Sequence, residues 1–131
     1  MKIHHIGYAI TNIEASIEMF RQLGYTDGNI THDESRSVDI MFMKNGNYLV
    51  ELIAPRNENS PVYGVLKRSG AGTYHICYEV DNMIEAINML KQQRWTVILE
   101  PMCAPAIENN DVCFLYNKKI GLIELVEIKA D

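Results

Sequence analysis

Residues 2–10 alternate apolar and polar side chains in the manner of a strand, and a helical apolar stripe follows at Ile13, Ile17, Phe20 and Met19. Thr11 or Asn12 can cap that helix, and Gly24 can end it. Three further strands are predicted at 25–31, 37–44 and 47–54, the last two joined by the Asn45-Gly46 hairpin turn. The order is βαβββ. Residues 55–72 read as a linker, marked by Pro55, Pro61 and Gly70-Ala71-Gly72, with a short helical turn around Val62, Val65 and Leu66. The same order then recurs: a strand at 73–80, a helix from Asp81 or Asn82 to Gln93, and strands at 95–99, 111–116 and 121–128. Pro101 and Pro105 bracket a stretch, 101–110, in which neither period is evident, and it is expected to be a functional loop.

The recurrence extends to residue identity. His5, Ile6, Tyr8, Asn12, Ile17, Met19, Gln22 and Thr26 reappear without a gap 70 positions later, from His75 to Thr96. Val50-Glu51-Leu52-Ile53 is echoed by Ile123-Glu124-Leu125-Val126 after 73 positions. Such self-similarity defines the structural unit. Packing explains the repeated apolar residues but not a histidine and a glutamate repeated inside apolar strands.

Strand alternation gives those polar side chains a direction. Ile6, Tyr8 and Ile10 share one face of the first strand, which leaves His5, Gly7 and Ala9 on the other. Val50 and Leu52 pack under the helix, so Glu51 points away from it; His75 and Glu124 follow by the same count in the second module. A carboxylate on such a face is costly unless a cation or proton answers it. Two imidazoles and two carboxylates suit a borderline divalent ion, and Fe, Co, Ni, Mn and Zn all accept that donor set. His4 faces the opposite way from His5, and His32 is expected in a solvated loop.

These residues resemble the vicinal oxygen chelate (glyoxalase/bleomycin resistance/dioxygenase) superfamily, and most closely its methylmalonyl-CoA epimerase branch. The resemblance rests on His5-Ile-Gly-Tyr-Ala, on Val50-Glu51-Leu52-Ile-Ala-Pro and on Gly121-Leu-Ile-Glu124-Leu-Val-Glu127. It rests also on the run from Ser60-Pro61 through Gly72-Thr-Tyr-His75 to Val80-Asp81-Asn82. It implies an α+β fold in which two tandem βαβββ modules form a curved mixed sheet around a metal site. One domain would cover 1–131, with module 1 at about 1–56, a linker at about 57–72 and module 2 at about 73–131. It also implies His5, Glu51, His75 and Glu124 as ligands of a divalent metal ion, and proton transfer at the carbon alpha to a thioester carbonyl.

Inversion at that carbon needs an acid or base on each side. The resemblance assigns Glu124 to one side, and an acid on the third strand in some members points to Asp39 for the other. Val38, Ile40 and Phe42 are expected to form that strand's core face, which would turn Asp39 toward the metal. Tyr74 stands where epimerases often carry a second histidine, and 101–110 departs from the family's substrate loop. A glyoxalase I-type lactoylglutathione lyase, or another thiol-adduct isomerase, needs the same ligands and is the alternative. A non-catalytic small-molecule binding or resistance protein usually lacks complete ligands. A ring-cleaving dioxygenase would use two histidines and one carboxylate.

Composition narrows the partners. A net charge of −5 and no basic stripe argue against nucleic acid, and no apolar run approaches membrane-span length. Cys77, Cys103 and Cys113 are odd in number and form no CxxC, which fits thiols in a reducing cytoplasm. The expected substrate is a small thioester, an acyl-CoA, and the resemblance implies a homodimer.

Overall fold

Two asparagines start the two long helices. The Asn12 side chain accepts a hydrogen bond from the Ala15 amide at 3.0 Å, and Asn82 does the same for Glu85 at 3.0 Å. Each satisfies an amide that the first helical turn leaves without a backbone partner. In this computed structural model, which describes residues 1–129, the helices α1 (Ile13–Gln22) and α3 (Met83–Gln92) result. Ile13, Ile17 and Phe20 form the buried stripe of α1, and Met83, Ile87 and Leu90 that of α3. Burying each such side chain contributes about 1.5–3 kcal/mol. Met19 departs from the expected stripe: it is 54% exposed, because it lies one position off the face set by Ile13, Ile17 and Phe20.

The strands are β1 (Lys2–Ala9), β2 (Thr26–Asp33), β3 (Val38–Asn45), β4 (Tyr48–Pro55), β5 (Gly72–Val80), β6 (Thr96–Ala104), β7 (Asn110–Asn117) and β8 (Gly121–Glu127). The chain groups into two compact units, residues 5–74 and the residues from His75 onward with Met1–His4. In the first, the strand order is β2-β3-β4-β1, with β1 and β4 parallel and the other pairs antiparallel. In the second, β6-β7-β8-β5 repeats that order, with β5 and β8 parallel. Each is thus a βαβββ module, as the pattern predicts, with its helix over one sheet face.

Each module has its own core between helix and sheet. Met41, Met43, Val50 and Leu52 meet α1 in the first; Cys113, Leu115, Ile123 and Leu125 meet α3 in the second. Glu51 and Glu124 consequently fall on the faces turned away from the helices. Burial, assisted by nearby Glu100, pushes the Cys113 thiol up to about 11, so it stays protonated as a core residue. The three cysteines are free of disulfides, Cys77 and Cys113 buried and Cys103 exposed.

Three expectations need correction. The linker carries a full helix, α2 (Pro61–Ser69), since Ser60 caps it at the Val62 amide and Pro61 fits its first turn. The stretch 101–110 is more ordered than its mixed pattern indicates. Strand β6 runs through Pro101 to Ala104 and is followed by a 3-10 turn over Pro105–Ile107. An edge strand tolerates a proline, and register shifts between Val97 and Leu99 and between Leu99 and Met102 blur the alternation. His32 lies inside β2 rather than in a loop. The last two residues of the expected domain, 130 and 131, lie outside the described residues, among which no helix is long and apolar enough to cross a membrane.

Candidate active site

In module 1 the parallel register pairs Gly7 with Glu51, so His5, two residues before Gly7, shares the face of Glu51. His5 Nε2 lies 3.2 Å from Glu51 Oε1, and the side chains are 0% and 6% exposed. Across the β3–β4 hairpin Phe42 stands directly opposite Glu51, and its ring meets the His5 imidazole edge-on at 5.2 Å between centroids.

Module 2 repeats this arrangement side chain for side chain. Cys77 pairs with Glu124, which puts His75 on the Glu124 face, with His75 Nε2 at 3.1 Å from Glu124 Oε1. Phe114 stands opposite Glu124 and meets His75 edge-on at 5.3 Å. The sequence reading places Phe42 on the core face and does not single out Phe114, whereas both rings lie beside the histidine–glutamate pairs. The same search for repeats would have found them, since they recur after 72 positions and flank the glutamates across each hairpin.

Each buried carboxylate and imidazole thus turn a donor atom toward one another in an apolar setting, which is stable when a proton or a cation lies between them. Two ligands at adjacent vertices of a metal, with bonds of about 2.0–2.2 Å, stand about 3 Å apart. Both pairs have that separation, and both present Nε2 with a carboxylate oxygen, a donor set suited to a borderline divalent ion. The residues fit the metal that the resemblance implies.

Asp39 requires correction. It pairs with Ala54 on β4, three residues from Glu51, and therefore lies on the opposite, helix-side face of the module. Val38, Ile40 and Phe42 share the face of Glu51 instead. The expectation failed because β3 is apolar on both faces: Met41 and Met43 pack against α1, so alternation alone could not choose the orientation. Asp39 is engaged there, accepting from His32 Nδ1 at 2.5 Å with Arg56 Nη1 at 3.6 Å.

Another acid does lie on the Glu51 face. Asp33 pairs with Val38 and is 3% exposed, with Arg36 Nη1 at 2.6 Å and Ser35 Oγ at 2.6 Å. Burial alone would raise its pKa, but the hydrogen bonds from Ser35 and Arg36 and the charge of Arg36 outweigh that and hold the carboxyl below its ordinary range. The sequence 33–37 reads as an ordinary polar turn and gives no signal of this burial.

Residues 4–114 match the family model of the Glyoxalase/Bleomycin resistance protein/Dioxygenase superfamily. The chain is similar to the ethylmalonyl-CoA/methylmalonyl-CoA epimerase of Cereibacter sphaeroides, at 29% identity over 97% of this chain and 98% of that protein. It is 30% identical to the mitochondrial methylmalonyl-CoA epimerase of Bos taurus, over 95% of this chain and 73% of that one. Among solved structures, a hypothetical protein of Bacillus halodurans superposes with a TM-score of 0.89 at 27% identity, covering 99% of this chain and 96% of the other.

Proposed function

Because the chain belongs to the Glyoxalase/Bleomycin resistance protein/Dioxygenase superfamily and has its glyoxalase-like α+β fold, we propose that it is a metal-dependent epimerase. It would move the proton at the carbon alpha to a thioester carbonyl, with methylmalonyl-CoA as substrate. The observation that carries this reading is the buried histidine–glutamate pair present in both modules, in a chain whose relatives at about 30% identity are named epimerases of that substrate.

In this reading His5, Glu51, His75 and Glu124 hold one divalent ion, Co, Mn, Ni, Zn or Fe. When bound, the ion supplies positive charge to the substrate's carbonyl oxygens, where enolate charge develops. Glu124 takes the alpha proton from one side. Glu51, its counterpart in module 1, takes the place that the sequence assigned to Asp39 and serves the other side. Phe42 and Phe114 wall off water around the two pairs, which strengthens the charge interactions there. The protein acts as a cytoplasmic homodimer.

The placement of Asp39 favours one second reading. With that acid on the other sheet face, the remaining carboxylates also serve a glyoxalase I-type lyase acting on a glutathione hemithioacetal. One experiment separates the two. Metal-reconstituted protein is incubated with (2R)- or (2S)-methylmalonyl-CoA in deuterated water, and mass spectrometry follows deuterium at the alpha carbon. Metal-dependent exchange well above the blank supports the epimerase. No exchange with metal bound overturns it and directs the assay to methylglyoxal with glutathione.

A further inference from the structure

The two modules differ in charge at their rims. At the helix start, Glu127 Oε2 of module 2 accepts the Met83 amide at 2.7 Å, where module 1 has Ala54 and Ile13. The larger difference lies at the other end, where helix and hairpin meet. In module 1 the Asn45 side chain donates to the Leu23 carbonyl at 3.3 Å, so the end of α1 adjoins the β3–β4 turn. Arg21 is paired there with Asp27 and Glu18. In module 2 the counterparts of Glu18 and Asp27, 70 positions on, are Asn88 and Val97. Those of Gly24 and Gly46 are Arg94 and Lys118, the latter by the 72-residue offset that relates Phe42 to Phe114. Lys119 follows Lys118 in the exposed β7–β8 turn. Acids are thus removed and cations added.

Thr96 pairs with Tyr116, and Arg94 and Lys118 each lie two residues beyond that pair, at the same end of the β6–β7 ladder. Residues 86–99 and 112–123 contain no acid. Among the described residues, Arg94, Lys118 and Lys119 make no ion pair. Lys91 is partly answered by Glu100, both lying near Cys113. Two further observations point to a ligand. Arg94 adopts φ +71° where its counterpart is a glycine, so an arginine is kept there at a cost in stability, and such strain collects at ligand-binding positions. The active-site face also leads to this end. Phe114 stands opposite Glu124, Leu99 is its partner on β6, and Tyr116 lies two residues further along the same face. Leu99 is 42% and Tyr116 44% exposed, so an apolar track runs about 13 Å from Phe114 to Lys118. An acyl-CoA has the same order of chemistry: a thioester, a long uncharged pantetheine arm, then phosphates. In a chain of net charge −5, an unpaired cationic end draws phosphate to itself.

We propose that Arg94, Lys118 and Lys119 form the seat for the phosphate groups of a coenzyme A thioester, an assignment that rests on the acyl-CoA reading of the active site. Guanidinium and ammonium groups hold phosphate oxygens by charge-assisted hydrogen bonds. The test titrates the ¹⁵N-labelled full chain separately with coenzyme A and with pantetheine, which lacks the phosphates. Coenzyme A should shift the Arg94 Nε–H and the Lys118 and Lys119 amides saturably, and pantetheine should leave them still. Arg94→Gly, which relieves the backbone strain, and Lys118→Gln should each weaken coenzyme A binding roughly tenfold. Lys67→Gln, in the basic pair on α2, should not. Unchanged affinity in either hairpin variant, an equal loss in Lys67→Gln, or no saturable shift at these three residues overturns the proposal. Alpha-deuterium exchange by a protein whose coenzyme A affinity ignores Arg94 and Lys118 removes the seat and keeps the epimerase. Binding that depends on both residues, without exchange, removes the epimerase and keeps the seat.

Discussion

The two modules agree where the sheet and its inward chemistry are concerned and diverge at their rims. Histidine, glutamate and phenylalanine recur in the same register, with donor separations of 3.2 and 3.1 Å. The asparagine caps recur as well. Three rim features differ: Ala54 against Glu127 at the helix start, Gly24 against Arg94 at the helix end, and the connection between the two outer strands. In module 1 that connection is polar, built on the buried Asp33–Arg36 pair. In module 2 it is apolar, with Ile107 6% exposed and Ala104 7% exposed. One end of a four-stranded sheet is closed by a satisfied ion pair in one module and by hydrophobic burial in the other. The comparison teaches that the buried histidine–glutamate pairs and the rings beside them are held in register in both modules, while the rims are closed by different chemistry.

The equivalence of Glu51 and Glu124 can be broken by stereochemistry. If each serves one side of the alpha carbon, Glu51→Gln and Glu124→Gln should each lower inversion by about 10²–10⁴-fold, the usual contribution of one acid–base group. Each variant should retain deuterium exchange with the opposite epimer of methylmalonyl-CoA. Exchange retained by both variants with the same epimer would show that the two carboxylates are not counterparts in function.

The cores offer a second test. Leu52 and Leu125 are equivalent and both fully buried, so Leu52→Ala and Leu125→Ala should each cost about 2–5 kcal/mol in urea unfolding. Similar losses sharpen the equivalence. A clear inequality would show that one helix–sheet interface dominates stability.

Much of this was legible in the sequence because of the repeat. The order of elements, the histidines and the glutamates all followed from alternation checked twice, once in each module. Where the modules diverge, that check disappears. Asp39 was misplaced because Val38, Ile40, Met41 and Met43 are all buried, leaving β3 without a polar side to orient it. The pattern shows only a turn where α2 forms because the helix's buried stripe is thin, with Val62 the one fully buried residue of its nine. The burial of Asp33 leaves no mark on the pattern because it depends on partners, Ser35 and Arg36, whose geometry the sequence does not display.

Asp33 yields a pH test of the rim difference. Its folded pKa is lowered, against about 3.9 in the unfolded chain, so its contribution is complete above about pH 5 and lost as pH falls through the folded value. The urea midpoint of the native protein should therefore fall between about pH 5 and pH 3 by more than that of Asp33→Asn. Amides of the 33–38 turn should lose exchange protection before those of 104–110, where no such carboxylate stands. Equal acid sensitivity in the native and variant proteins would remove the ion pair as the element that distinguishes the connections.

The smallest expected effect tests the helix ends. After α1, Gly24 has φ +98°, and the Tyr25 amide returns to the Phe20 carbonyl at 3.0 Å. After α3, Arg94 has φ +71°, and the Trp95 amide returns to the Leu90 carbonyl at 3.1 Å. The backbone device is the same, yet glycine adopts this conformation without steric cost and arginine does not. Arg94→Gly should therefore stabilise the protein by up to about 1 kcal/mol, reduced by the extra freedom glycine brings to the unfolded chain, and Gly24→Ala should destabilise it by about 1 kcal/mol. A Tm that falls in Arg94→Gly would mean that the arginine side chain supplies more than its backbone strain costs. The helix end of module 2 would then be held by side-chain interactions, where that of module 1 relies on conformational freedom alone.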